Sequence, residues 1–147
     1  MTKNEKQLLI KDLSARLPYG VICKGINLDL DVTKDEDEYV NREVSGPLTK
    51  IGYDHCTLGI TKECELSTIR SYLRPMSSMT DEEYKEYRKA GEGDTLDSAK
   101  ALRLKAEGKC YISSWYRGAD WLNAHHFDYR GLIGKGLALE APKDMYN

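Results

Sequence analysis

Near the N-terminus the apolar positions Leu8, Leu9, Leu13 and Leu17 recur at helical spacing, with Lys6, Lys11, Asp12 and Arg16 elsewhere on the wheel. The pattern predicts an amphipathic helix. Thr2 and Glu5 stand in capping-box relation at its start, and Pro18 and Gly20 end it. From Val21 the period falls to two. Ile26, Leu28, Leu30 and Val32 alternate with Asn27, Asp29 and Asp31, as a half-buried strand requires. Ile26, Leu28 and Leu30 are expected to face inward against Leu9, Leu13 and Leu17. The run Lys34 to Glu38 is too charged to bury and reads as an exposed turn before a second extended stretch, Tyr39 to Val44. Ser45-Gly46-Pro47 is expected to break the chain again. Short apolar pieces at Leu48 to Tyr53 and Cys56 to Ile60 complete a small antiparallel meander.

Beyond Leu66 the pattern turns helical, most clearly at a second capping box, Thr80 and Glu83, with Met79 and Tyr84 placed as a hydrophobic staple and Gly91 and Gly93 at the end. A third helix is expected from Asp94 or Thr95, with Leu96, Ala99, Leu102 and Ala106 on one face and Gly108 as its stop. Cys110 to Tyr116 reads as a strand, and Asp120 to Asn147 as a short helix followed by a glycine-punctuated tail. No repeat or linker divides the chain. The expectation is therefore an α+β fold in a single domain over residues 1–147, a small antiparallel sheet packed by the N-terminal helix and the helices of the C-terminal half.

Composition narrows the functional classes. The chain has 147 residues and a formal net charge of −2, so a chain-wide polyelectrolyte role is excluded and any contact with nucleic acid has to use a local patch. No apolar run approaches the roughly 18 residues of a membrane-spanning helix, and the first residues lack a secretory pattern. A soluble, cytoplasmic protein without membrane contact is expected. Cys23, Cys56, Cys64 and Cys110 are separated by 33, 8 and 46 positions, which matches no zinc-ribbon or thioredoxin-type spacing. These intervals bring no pair together locally, so reduced thiols without zinc are expected. Ten tyrosines against one phenylalanine supply large apolar area with polar tips, suited to shallow cores and to recognition surfaces alike.

Asp120-Trp121-Leu122-Asn123-Ala124-His125-His126-Phe127-Asp128-Tyr129-Arg130-Gly131-Leu132-Ile133, followed by Gly136-Leu137-Ala138-Leu139-Glu140-Ala141-Pro142, resembles the C-terminus of a family of short proteins of Bacteroides-type gut bacteria and their phages and prophages. Leu8 to Val21 and Tyr72 to Thr80 resemble two further blocks of that family, in the same order; the resemblance does not extend over Gly25 to Cys64. The resemblance implies a cytoplasmic setting and a mobile-element context. It brings no established activity with it.

His125, His126 and Asp128 form the most suggestive cluster, because imidazole and carboxylate together ligate metals or act as a general-base pair. Adjacent helical residues diverge by about 100°, so His125 could share a ligand with Asp128 but not with His126. Two ligands also fall short of a metal set, and His55 is the only other histidine. The acidic run Asp29, Asp31, Asp35, Glu36, Asp37 and Glu38 fails the calcium-loop pattern, with Lys34 at the turn glycine and Val40 at the terminal glutamate. Gly131 to Gly136 lacks the strand and the Lys-Ser or Lys-Thr pair of a phosphate loop and reads as a turn. Lys100, Arg103, Lys105, Lys109 and Arg117 beside Tyr111, Trp115 and Tyr116 offer a weaker case for nucleic-acid contact. No cofactor or metal site is read. The favoured function is a non-enzymatic interaction protein with a protein partner, for which the resemblance implies a phage or mobile-element origin. The alternative is a small metal-dependent hydrolase or nuclease using His125, His126 and Asp128.

Overall fold

The computed structural model describes residues 1–31, 38–91 and 115–146, with the side chains of residues 30, 31, 38 and 115–117 outside the description. The expected third helix lies outside the described residues. So does the expected strand from Cys110, except at Trp115 and Tyr116, which open a helix. The fold is α+β. A six-stranded sheet runs in the order β2-β3-β4-β1-β5-β6, from β1 (Ile22–Asp31), β2 (Glu38–Ile51), β3 (His55–Leu58), β4 (Lys62–Glu65), β5 (Arg70–Leu73) and β6 (Ala138–Glu140). The helices are α1 (Lys3–Arg16), α2 (Asp81–Ala90) and α3 (Trp115–Ala124). Two compact units divide the chain: residues 1–72 with 137–139, and residues 73–136 with 140–147.

In the first unit β1 to β4 form an antiparallel meander, as expected in kind, but the stretches expected at Tyr39 to Val44 and Leu48 to Tyr53 are joined in β2, β4 was not foreseen, and the meander closes on itself. β1 pairs with β2 from Ile22↔Pro47 to Asp31↔Glu38, β2 then pairs with β3, β3 with β4, and Asn27 of β1 meets Cys64 of β4, all antiparallel. Ser45-Gly46-Pro47 does not break β2 as expected. The strand passes through it and exchanges partners there, with Leu48 N donating to Val21 O and Gly59 N to Pro47 O. Proline lacks the ladder donor, so the exchange point is where it fits.

The buried face of β1 also differs from the expected one. Val21, Cys23 and Gly25 point inward, with Leu48, Cys56, Leu58, Cys64, Leu66 and Ile69 around them, whereas Ile26 and Leu28 are exposed. Alternation shows that two faces differ; which one is covered depends on what packs there. A Cβ at Gly25 would lie 2.8 Å from Ile69 Cδ1 and 3.1 Å from Cys64 Cβ, so the closed ring admits only glycine without a shift. Capping of α1 is as expected, with Thr2 and Glu5 in a capping box, and Gly20 ends the following turn at φ 64°. Leu9 and Leu13 are fully buried, but Leu17 is only partly so. Asp12 and Arg16 are buried too, Arg16 Nε and Nη2 donating to Asp12 Oδ2 and Oδ1 at 2.8 and 3.1 Å, instead of lying on a solvated flank. An i,i+4 pair neutralises itself locally, which makes its burial tolerable.

The second unit is built on Met76, Met79, Tyr87, Leu122 and Phe127, with Tyr84, Trp121 and Tyr129 packed against them. The Thr80–Glu83 capping box forms, and α2 ends at Gly91. α2 and α3 pack together. β5, in the first unit as far as Tyr72, stands where a helix was expected, its period-two burial hidden by the inward polar residue Ser71.

Candidate functional sites

Helix α3 ends at Ala124, so the helical spacing of His125 and Asp128 does not apply. The chain leaves it through a paired closure: Phe127 N donates to Leu122 O and His126 N to Asn123 O. This is the Schellman arrangement, with His126 at the left-handed position (φ 59°) and Phe127 meeting Leu122 in the core. Histidine is among the few non-glycine residues enriched there. His126 is buried and stacks on Tyr146, ring centroids 3.9 Å apart. His125 is half-buried, stacks on Trp121 at 3.8 Å, and its Nδ1 lies 2.9 Å from Trp121 O, a contact made as donor. Asp128 is buried with both carboxylate oxygens engaged: Oδ1 accepts from Leu132 N at 2.8 Å and Oδ2 from Ile133 N at 2.9 Å. It thereby caps the short 3-10 turn Ile133–Lys135, and Gly131 to Gly136 is the turn its sequence suggested. Each of the three side chains has its own partner: Trp121 for His125, Tyr146 for His126, and the Leu132 and Ile133 amides for Asp128.

Arg74 anchors this closure. Its N donates to His126 O and its O accepts from Asp128 N, both at 2.8 Å, while its guanidinium lies 4.2 Å from the Phe127 ring and is bidentate to Glu83 at 2.7 and 3.0 Å. Burial works against the Glu83 charge, but the hydrogen bonds from Arg74 and from Thr80 N outweigh it and hold the carboxyl below its ordinary value. An open cavity of about 490 Å³ adjoins Arg74, lined also by Ser78, Thr80, Glu140, Lys143, Asp144 and Tyr146. Its charges are mixed, and the Arg74 guanidinium is held by Glu83.

His55 lies exposed in the first unit, in a smaller cavity of about 300 Å³ with Lys50, Tyr53, Asp54, Thr57 and Glu63. Asp54 is paired with Lys6 at 2.5 Å, and Lys6 sits 4.1 Å from the Tyr53 ring centroid. Among the described residues no three His, Cys, Asp or Glu side chains stand together as a metal set. Of the acidic run, Asp29 is an exposed residue of β1 at 3.7 Å from Arg42, and residues 32–37 are outside the described residues. The basic and aromatic cluster falls there as well, apart from Arg117, Trp115 and Tyr116 in α3.

Two features escaped the sequence reading. The first is the outer part of the β1–β2 hairpin. Ile26, Leu28 and Tyr39 are 41%, 61% and 63% exposed, and the pairings Ile26↔Glu43, Leu28↔Asn41 and Leu30↔Tyr39 put them on one face. The second is Cys56↔Cys64, directly opposite across β3 and β4 and both buried, which corrects the expectation that no cysteines meet locally. Their symmetric placement about Ile60, beside Gly59, was the available signal. No protein-family model, curated protein or solved structure matches the chain.

Proposed function

We propose that the protein is an interaction module that docks a basic protein segment on the exposed face of the β1–β2 hairpin. The observation carrying this reading is the apolar strip Ile26, Leu28 and Tyr39, exposed on one face of the β1–β2 hairpin. Exposed apolar residues gathered on one face, unlike single scattered ones, mark contact surfaces. Charge selects the partner: residues 26–43 carry seven acidic side chains against two basic ones. Beyond Asn27 the only described neighbour of β1 is β2, so an extended segment could also add along the open edge. Proteins of a phage or prophage are the first place to look for that partner, given the resemblance above.

The test uses the full chain and two synthetic peptides of equal length, in which Leu and Val alternate with Lys in one and with Glu in the other. The basic peptide should bind, lose affinity with added salt, and lose at least tenfold in the Leu28→Thr/Tyr39→Thr double variant. Equal binding of both peptides, or no effect of the double variant, overturns the proposal. So does self-association that the same variant abolishes, because it would make a second copy the occupant.

A further inference from the structure

Cys56 and Cys64 are directly paired in the β3–β4 hairpin, and both side chains are about 1% exposed. Directly opposite residues of an antiparallel pair project to one face with Cα atoms about 4.5–5.5 Å apart, within the span a disulfide bridges. β1 places no side chain between them: Gly25 lies against Cys64, its virtual Cβ 3.1 Å from Sγ. None of the three described cysteines is in a disulfide. Cys23, the third, is opposite Ser71 and not opposite either member of the pair.

We propose that Cys56 and Cys64 are a site of reversible oxidation, at which a peroxide closes a cross-strand disulfide inside the first unit. Burial selects a small oxidant, and hydrogen peroxide is the smallest of that class. The sulfur of one cysteine attacks one peroxide oxygen, the O–O bond breaks, and a sulfenic acid and one water result. The sulfur of the other then attacks the oxidised sulfur, the S–O bond breaks, the S–S bond forms, and a second water leaves. Two thiols give up two electrons and two protons, and the peroxide is reduced to two waters. Burial raises the pKa of both thiols, Cys56 to about 11, offset in part by the Lys62 charge at Cys64 and by the Gly52 backbone hydrogen bond at Cys56. Both thiols therefore react slowly, and the ring of strands holds the second sulfur in place when the first is oxidised.

The experiment maps disulfides by mass spectrometry after the reduced full chain is treated with hydrogen peroxide, blocked and digested without reductant. A peptide linking Cys56 to Cys64 is expected, reversible by dithiothreitol, retained in Cys23→Ser and lost in Cys56→Ser and in Cys64→Ser. The wild-type map decides even where a serine variant folds poorly. Oxidised wild type should also melt at a higher temperature than reduced wild type. Over-oxidation of either cysteine without the link, a link to Cys23 or Cys110 in its place, or a link formed only in denaturant overturns the proposal.

Discussion

At His126 the backbone takes a left-handed turn, φ 59°, that costs an L-residue with a Cβ about 1–2 kcal/mol, and the side chain offsets this by burial and by stacking on Tyr146. Two substitutions separate the contributions. His126→Ala loses the stack and keeps the backbone cost, whereas His126→Gly loses the stack and removes it. Urea unfolding should therefore find the glycine variant more stable than the alanine variant by about 1 kcal/mol. A glycine variant equal to or below alanine would show that the turn is unstrained. Asp128 obeys the same local logic, since its carboxylate accepts from the Leu132 and Ile133 backbone amides. Gln in place of both His125 and His126 is accordingly expected to lower the melting temperature.

Helix α1 draws its stability from one face that includes a buried ion pair. Removing one member strands the other charge, so Asp12→Ala should cost about 3–5 kcal/mol, while the joint replacement Asp12→Leu/Arg16→Met should cost much less. Chemical denaturation of the three proteins checks the order. Leu13→Ala should cost about 2–5 kcal/mol for its fully buried side chain. At the start of α2, the Glu83 carboxyl is held below its ordinary value, so its contribution is complete above about pH 4.5 and fades as pH falls through the lower folded value. The stability gap between wild type and Glu83→Gln should thus be widest at neutral pH and shrink in acid. A gap that grows in acid would contradict the pairing with Arg74.

Across the whole molecule, burial is uneven in a way that separates core from surface. Ile26, Leu28 and Tyr39 lie outside both cores, so Leu28→Thr/Tyr39→Thr should leave unfolding free energy within about 0.5 kcal/mol while altering peptide binding. A loss comparable to that of Leu13→Ala would mean that the hairpin face is covered. The buried thiols make a second global reading possible. Burial raises the pKa of Cys23, Cys56 and Cys64, so alkylation should be slow in the folded chain, and four thiols should react once it is denatured under reducing conditions.

What the sequence determined by itself was local. Thr2 with Glu5 and Thr80 with Glu83 capped helices because a capping box closes within a single turn, and Gly20 ended the first segment because few other residues enter its conformation. The meander and the turn at Gly131 to Gly136 were legible for the same reason. Tertiary structure decided which face of β1 was covered, because alternation is symmetric and only the closing of β4 onto β1 selected Val21, Cys23 and Gly25 over Ile26 and Leu28. It also buried Asp12 with Arg16, carried β2 through Pro47, and set Cys56 against Cys64. The histidine cluster shows the limit most plainly. Proximity in sequence suggested a shared task, but the closure of α3 onto Phe127 turned His125, His126 and Asp128 toward three different partners, since a side chain's direction is fixed by its own backbone and packing.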